Sequence, residues 1–416
     1  MGIKPDLTFD DHLRIKILGV SSNQDTDPNR RMILYIIFGN FESKKYFERY
    51  VMVFLGIDLH SNNFTCCFIQ ENCTKRKMTF SITPDSLENF YQYLDKNTAV
   101  IIEASTNTFK FAEKIITKVH SIHVANTHKL KLISLVKKKT DKVDAEKLAI
   151  YLKMQIASHE SLMEPVYIPD QTIQDLRSLF TSCRMIRRQI GALKNRIHAL
   201  LKQNLLPFTK EYIFGKKNRE IIKELEMGKT AKFQLLFFFE LMEHLEENIT
   251  KLEDEIYLIG SKFIKEIDIL TSMKGISVMT AIAIMADIAR IDRFPNSKHF
   301  SSYLRSAPGV DSSNETIKIK NTNKFARKHS ITLLSQSLNH FRDTNPKLKK
   351  WYEKKESTHK KGKLRMALCR RVFTEIYQML KKNEYHYYRN EELHRIKMEV
   401  YYNFLKKRGV IFQKVA

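Results

Sequence analysis

Cysteine is scarce in this chain of 416 residues. None of its five cysteines belongs to a CxxC pair; they are Cys66, Cys67, Cys73, Cys183 and Cys369. Zinc ribbons and disulfide frameworks need paired, regularly spaced cysteines, so the sequence excludes both. We therefore expect the protein to work in a reducing, intracellular compartment.

Long apolar runs are missing as well. No run approaches the roughly 18 residues that a membrane-spanning helix needs. The most apolar stretch near the start, MILYIIFGNF, is interrupted by Gly39 and Asn40, and it lacks the cleavage-site pattern of a signal peptide. The sequence thus predicts a soluble protein with no membrane partner.

Acidic residues are few relative to basic ones. Asp and Glu total 46 against 71 Lys and Arg, which leaves a net charge of +25. A hydrophobic content of 43% excludes wholesale disorder, and the length allows two or three domains. A cationic surplus of this size is typical of proteins that bind nucleic-acid phosphates. A merely solvated, lysine-rich surface is the alternative.

The chain divides into five segments by composition and periodicity. Residues 1–51 are polar and turn-rich, and we interpret them as an N-terminal extension outside the core. Residues 52–165 begin with the strand-like runs VFLGIDLH, FTCCFIQ and KMTFSI and continue with alternating helices and strands, which predicts a ribonuclease-H-like mixed sheet flanked by helices. In 166–266, apolar residues spaced by three and four predict two long helices paired as an antiparallel coiled coil. Residues 267–385 are helical and basic, and 386–416 form an aromatic-rich helical tail. The fold class is therefore α/β plus α.

Four carboxylates form the main candidate site. Asp58 and Glu103 end two strands that this topology makes parallel neighbours, and Asp141 and Asp144 share one face at a helix start. Grouped carboxylates repel one another unless a cation lies between them, and oxygen ligands favour Mg²⁺ or Mn²⁺ over zinc. Two such ions clamp the attacking and leaving oxygens of phosphoryl transfer. Taken singly, each residue could instead be a turn residue or a helix N-cap. The lysines available nearby for phosphates are Lys137, Lys138, Lys139, Lys142 and Lys147.

The segment LTSMKGISVMTAIAIMADI predicts two helices joined by a tight turn. In a helix-hairpin-helix, such a turn binds a phosphate without reading sequence, here through Lys274, Gly275 and Ser277. Ser277 stands where a second glycine is usual, so an ordinary helical turn is the alternative.

A short loop with Pro308 and Gly309 is predicted next, followed by a basic stretch and a long helix. A serine in such a loop is normally a solvated turn or cap residue. Composition alone gives Ser312 and Ser313 no further role.

Four motifs together resemble one known family. FLGIDLH, VIIEAS, VANTHKLKLISLVKKKTDKVDAEKLA and LTSMKGISVMTAIAIMADIARIDRFPNSKHFSSYLRSAPGVDSSNET are similar, in this order, to motifs of the IS-one-ten family of insertion-sequence transposases, the DEDD transposases. The resemblance covers about 52–385. It implies a RuvC-like ribonuclease-H fold, a coiled-coil insert and a C-terminal transposase domain. It also implies donor and target DNA as substrates, a structured non-coding guide RNA, a homo-oligomer, and a nucleoid-associated location in a prokaryotic cytoplasm.

The same resemblance implies roles for particular residues. The catalytic metal ligands would be Asp58, Glu103, Asp141 and Asp144. The family's serine nucleophile, which forms a covalent intermediate with DNA, falls on Ser313, and nucleic-acid contacts include Lys318 and Lys320. Asn314 and Asn323 stand where glycines are frequent in the family, which keeps Ser312 open as the nucleophile.

Three functions follow as hypotheses. The leading one is a recombinase that cuts and rejoins DNA with a divalent-metal site and a serine. A RuvC-like junction nuclease that uses metal-activated water is the second. A catalytically decayed nucleic-acid-binding protein is the third, and the complete set of four carboxylates argues against it.

Overall fold

The computed structural model describes residues 53–126, 140–158, 166–206, 213–313, 316–322 and 327–411, without the side chains of Lys216 and of 310–326. The predicted extension, 1–51, lies outside the described residues. The chain forms two compact units that divide between Ile168 and Pro169.

The first unit is built on a five-stranded mixed sheet in the order β3-β2-β1-β4-β5. Its strands are β1 (Val53–Leu59), β2 (Asn63–Gln70), β3 (Lys75–Ser81), β4 (Thr98–Glu103) and β5 (Ser121–Ala125). Its helices are α1 (Pro84–Tyr91), α2 (Thr108–Ile115) and α3 (Asp141–Ala157). β1 pairs antiparallel with β2 and parallel with β4, as the sequence predicts. This arrangement is consistent with a RuvC-like fold.

The central strand β1 is buried along almost its whole length because both faces of the sheet are covered. Leu55 and Ile57 belong to an apolar cluster with residues of α1 and α2, whereas Phe54 packs in a second cluster with residues of α3. Alternation along the strand explains this division between faces. Two-sided burial also explains why β1 is a nearly continuous apolar run.

The second unit is mostly helical. Its longer helices are α4 (Gln171–Gln203), α5 (Lys216–Glu224), α6 (Lys229–Gly260), α7 (Ile264–Thr271), α8 (Val278–Ile288), α9 (Ser297–Tyr303), α10 (His329–Leu334), α11 (Leu338–Thr344), α12 (Pro346–Glu356), α13 (Lys361–Lys382) and α14 (Glu391–Lys407). Short 3-10 turns lie at Ser261–Phe263, Ile291–Arg293 and Ser335–Ser337, and a two-stranded antiparallel sheet is formed by β6 (Pro308–Ser313) and β7 (Thr316–Thr322). No described helix combines the length and the apolar composition needed to cross a membrane.

Helices α4 and α6 pack against each other in opposite directions. Arg187, in the first half of α4, pairs with Glu253, in the second half of α6. Ile197, in the second half of α4, shares an apolar cluster with Leu235 and Phe239, near the start of α6. The predicted antiparallel helical pair is therefore present, and its supercoiling as a coiled coil stays a prediction.

The core of the second unit surrounds α8, which is buried along nearly its whole length. The C-terminal helix α14 contributes Met398, Tyr401 and Leu405 to the same apolar cluster. A buried polar contact adds to this packing, since His394 Nε2 lies 3.0 Å from Asp268 Oδ1 of α7. The aromatic-rich tail is thus part of this core.

Two local predictions were wrong. The region around Pro308 and Gly309 forms a β-hairpin and not a loop, and the residues after it form two short helices, α10 and α11, and not one long helix. In TIKIKNT, apolar and polar residues alternate with the period of two that is typical of a β-strand. The turn-forming residues before this segment favoured the interpretation as a loop. The second helix of the pair ends at Gly260, within the segment 166–266, and the helix of the tail begins at Glu391, where the Asn390 side chain accepts a hydrogen bond from Leu393 N–H.

Candidate metal centre and functional site

Asp58 and Glu103 lie at the same edge of the sheet. The parallel register pairs Ile57 of β1 with Ile102 of β4, so Asp58 and Glu103 come next on adjacent strands. The Asp58 side chain is only 12% exposed, and Glu103 is half-buried. The sequence prediction that these strands are parallel neighbours is confirmed.

The N-terminus of α3 supplies the other two carboxylates. Thr140 is the N-cap residue, Asp141 opens the helix, and both acidic residues lie in its first turn. Negative charge at a helix N-terminus is favourable because of the helix dipole. Asp144 Oδ1 lies 3.3 Å from Lys147 Nζ, whereas Asp141 is 58% exposed.

His60 joins this group, and sequence reasoning missed it. Its Nε2 atom lies 3.4 Å from Asp58 Oδ2 and 3.4 Å from Asp141 Oδ2, so the imidazole stands between carboxylates of β1 and α3. One ligand atom from each of these three residues lies within 4.8 Å of the others, a spacing that could hold a metal ion. The available signal was the spacing of two residues from Asp58, which places both on one side of an extended chain.

The electrostatics of Asp58 link all four predicted carboxylates. Burial raises the pKa of the Asp58 carboxyl above its usual value; His60 opposes this rise, and Asp141, Glu103 and Asp144 add to it. The charged form of Asp58 is therefore destabilised by desolvation and by like charges. A divalent cation would relieve both effects, so the donor set fits one.

A depression of about 680 Å³ adjoins this edge of the sheet. Its lining comes from the β1–β2 connection and from the residues after β4: Leu59, His60, Ser61, Asn62, Asn63, Ser105, Thr106 and Asn107. Asn107 Nδ2 donates to the His60 carbonyl over 2.8 Å, which ties the two lining segments together. The depression offers mainly hydroxyl and amide groups beside the carboxylates.

The remaining predicted residues of the first unit are lysines. Lys142 is exposed on the first turn of α3, and Lys147 is paired with Asp144. The other three, Lys137, Lys138 and Lys139, lie outside the described residues.

In the second unit, the predicted helix–turn–helix is formed by α7, the turn 272–277 and α8. Lys274 and Ser277 are exposed, and the Ser277 hydroxyl caps α8 by accepting a hydrogen bond from Thr280 N–H over 3.2 Å. Gly275 has a φ of +103°, which an L side chain rarely adopts. Lys397 of α14 supports the turn by donating to the carbonyls of Thr271, at the end of α7, and of Ile276, at 3.0 Å and 2.9 Å. Phosphate binding at this turn stays a prediction.

The candidate serines lie in β6, where Ser312 pairs with Ile317 and Ser313 with Thr316. Lys318 and Lys320 belong to β7. The side chains of these residues are outside the description, so their functional roles stay predictions.

Two family models match the chain. The IS110 DEDD transposase model, described as "Transposase", matches residues 55–205, and the "Transposase IS116/IS110/IS902 family" model matches residues 267–353. The first match runs from β1 to just beyond α4, and the second from α7 into α12. No curated protein matches this sequence.

The mixed sheet with carboxylates at its edge, together with these matches, defines a DNA-recombining enzyme of the DEDD transposase class. The chain belongs to the IS110 family of transposases. DNA is accordingly its substrate, and transposases of this class use divalent metal ions.

Proposed function

We propose that this transposase cuts and rejoins DNA through a divalent-metal site in its first unit and a serine nucleophile in its second. The proposal depends on the grouping of three carboxylates around Asp58. Together with burial, they raise the pKa of its carboxyl group. A protein gains nothing in stability from such a group. Its retention is explained by a cation that it holds during the reaction.

Mg²⁺ or Mn²⁺ would be held by Asp58, Glu103, Asp141 and Asp144. When bound, the cation supplies charge neutralisation at the scissile phosphate and at the oxygens that enter and leave. The chain's own contribution is orientation: β1 and β4 fix Asp58 and Glu103, and the first turn of α3 fixes the other two. His60 lies close enough to Asp58 and Asp141 to serve as a further ligand or to orient both carboxylates.

The covalent step is assigned to Ser313. Its Oγ would attack the phosphorus of a DNA phosphodiester and form a serine–phosphate ester. The bond from phosphorus to the leaving deoxyribose oxygen breaks, and that oxygen accepts a proton while the serine hydroxyl loses one. Attack by the freed DNA end of another strand would reverse the step and rejoin the DNA, so no external energy source is needed.

The family resemblance supports a structured guide RNA and a homo-oligomer as partners. The net charge of +25 supports binding of polyanions, and the exposure of Lys142, Lys274 and Ser277 leaves them accessible to backbone phosphates. We include the coiled coil and the helix-hairpin-helix in this proposal, the first as a spacing element and the second as a phosphate-binding turn.

The test is a covalent protein–DNA adduct. Wild-type protein, guide RNA, Mg²⁺ and radiolabelled DNA are incubated, and the products are separated on a denaturing gel. We expect an adduct with the wild type and with Ser312→Ala, and none with Ser313→Ala or Asp58→Asn, although both of these should still bind DNA. An adduct that persists in Ser313→Ala and disappears in Ser312→Ala would move the nucleophile by one residue.

The second candidate function is a junction nuclease of the RuvC-like type. The carboxylate cluster favours it as much as it favours the recombinase, because metal-activated water needs no serine. Clean cleavage by the wild type without any adduct would establish the nuclease. Binding without cleavage by the wild type, with Mg²⁺ and with Mn²⁺, would instead indicate a decayed nucleic-acid-binding protein.

A further inference from the structure

One face of α12 carries lysines around the chain's single tryptophan. Lys347, Lys350, Trp351 and Lys354 are spaced by three and four residues, so they share a face of the helix. The three lysines are exposed, and the indole is half-buried. The guanidinium of Arg371, from α13, lies 4.2 Å from the Trp351 ring centroid. We call these five residues the tryptophan patch.

The acidic residues of α12 form no ion pair with the cations of the tryptophan patch. Glu353 and Glu356 are exposed; at 100° per residue Glu356 falls on the other side of the helix, whereas Glu353 lies about 60° from Lys350, at the edge of the patch. Within the described part of the chain, none of the four cations has an ion-pair partner within 4.0 Å. Four cations without an ion-pair partner at that distance therefore lie around a planar aromatic ring.

The opposite side of the same helices is committed to the core. Leu348 and Tyr352 of α12 and Leu364 and Leu368 of α13 are buried in the main apolar cluster of the second unit. The tryptophan patch is consequently held on rigid, packed helices. A fixed array of cations loses less conformational entropy on binding a polyanion than lysines on a flexible tail.

The patch is also anchored beside the strand that carries the candidate serines. Arg370, adjacent to Arg371, donates from Nε and Nη2 to the Ser306 carbonyl at 3.2 Å and 3.1 Å. Ser306 lies two residues before β6 begins at Pro308. A ligand held on the patch is thus bound to the same core that supports the β6–β7 hairpin.

We infer that the tryptophan patch is a binding site for the phosphodiester backbone of a nucleic acid, and that it holds the strand next to the β6–β7 hairpin. The role of this site in DNA recombination rests on the proposed function. Binding of the nucleic acid to the patch requires neither the metal nor the serine. The cations recognise phosphates, which carry no sequence information, so binding is independent of sequence. An anionic membrane fits less well, because the face offers one half-buried aromatic ring and no exposed apolar side chains to insert.

Trp351 provides a direct signal, since the chain contains no other tryptophan. The full-length protein without divalent metal is titrated with a 20-base-pair DNA duplex, and tryptophan fluorescence and DNA anisotropy are followed together at several KCl concentrations. We expect a saturable fluorescence change that tracks the anisotropy. An RNA hairpin of equal charge forms a second arm, and the tighter of the two ligands identifies the natural source of the backbone.

The matched variants carry the same loss of charge in two places. The triple variant Lys347→Gln, Lys350→Gln, Lys354→Gln should lower the slope of log affinity against log salt by about 3 for duplex DNA, about one for each phosphate that a lysine no longer neutralises. The control replaces exposed lysines of α6, α7 and α14, namely Lys251→Gln, Lys265→Gln and Lys407→Gln, and should change the slope by less than about 1. All six positions are exposed, so both variants should fold, as circular dichroism would show.

Three results would overturn the inference. They are equal slopes in the two triple variants, an unchanged Trp351 signal while anisotropy shows bound DNA, and a signal that saturates with phosphatidylserine vesicles but not with nucleic acid. Failure of the proposed chemistry is distinguishable from all three. If Ser313 forms no adduct but the salt slope still depends on the patch, only the catalytic assignment fails.

Discussion

Gly56, in the middle of β1, lets helix α3 approach the strand unusually closely. A Cβ atom at this position would lie 2.1 Å from the Ala145 carbonyl oxygen and 2.5 Å from the Ala149 nitrogen, whereas ordinary contacts begin at 3.4 Å. Both clashing atoms are backbone, so no side-chain rotation relieves the overlap. In Gly56→Ala, α3 must therefore move away from the sheet by about 1.3 Å.

This displacement has two measurable consequences. Overpacking of a well-packed core costs about 1–3 kcal/mol, and we expect the upper end of that range because the obstacle is a helix backbone. The same movement separates Asp141 from Asp58 and His60, and a misplacement of ~1 Å in a catalytic site can cost ~100-fold in rate. Gly56→Ala should thus lose both stability and DNA cleavage.

Urea denaturation followed by circular dichroism measures the first effect, and cleavage of labelled DNA with Mg²⁺ measures the second. Gly191→Ala is the matched control. Nothing lies within 4 Å of its new methyl group on α4, so it should gain about 0.5–1 kcal/mol in stability and keep its activity. If Gly56→Ala stays within about 0.5 kcal/mol of the wild type with unchanged cleavage, the close approach does not set the geometry of the site.

Other predictions test charge and chain boundaries. Because the pKa of Asp58 is raised in the native protein, its ionised form lowers the free energy of unfolding at neutral pH. Without divalent metal, Asp58→Asn should therefore unfold at a higher urea concentration than the wild type at pH 7. The difference between the two urea midpoints should shrink toward pH 4. Burial lowers the pKa of Lys397 from 10.5 to about 8, so between pH 8 and pH 10 the unfolded chain binds more protons than the folded chain. The free energy of unfolding of the wild type should therefore rise over this pH range. Lys397→Met should lack that rise in the urea midpoint. A chain starting at Met52 should be as soluble and as active as the full-length protein, and loss of folding would show that the extension is structural.

Much of the first unit could be predicted because its signals are local or topological. Because β1 and β4 are buried on both faces of the sheet, each is a continuous apolar run in the sequence. Parallel pairing brings the C-terminal ends of the two strands together, independently of the conformation of the loops. That is why Asp58 and Glu103 could be paired from sequence. The spacing of His60 from Asp58 indicates only a shared side of the chain. The place of the imidazole between two carboxylates depends on how the chain turns after Leu59, and Asn107 helps to fix that turn through a hydrogen bond from a segment 47 residues away.

The second unit was harder because its decisive contacts are distant in sequence. The buried His394–Asp268 pair joins residues 126 positions apart, and the Tyr385 hydroxyl donates to the same carboxylate over 2.6 Å. No periodicity indicates which helix such a polar residue will meet. Hydrophobic spacing predicted the helices, but only the packed structure shows that α14 belongs to the core around α8.

Two residues of β1 go against the usual preferences of a central strand, and they do so for the same helix. Glycine weakens a strand interior, and a buried carboxylate without a fixed cation is unfavourable. Gly56 lets α3 pack closely against the strand, and a carboxylate oxygen of Asp58 lies within 4.8 Å of one of Asp141, in the first turn of that helix. Local rules tend to be broken where function requires it. The two exceptions, one position apart on each side of Ile57, therefore locate the functional edge of this sheet independently of any family match.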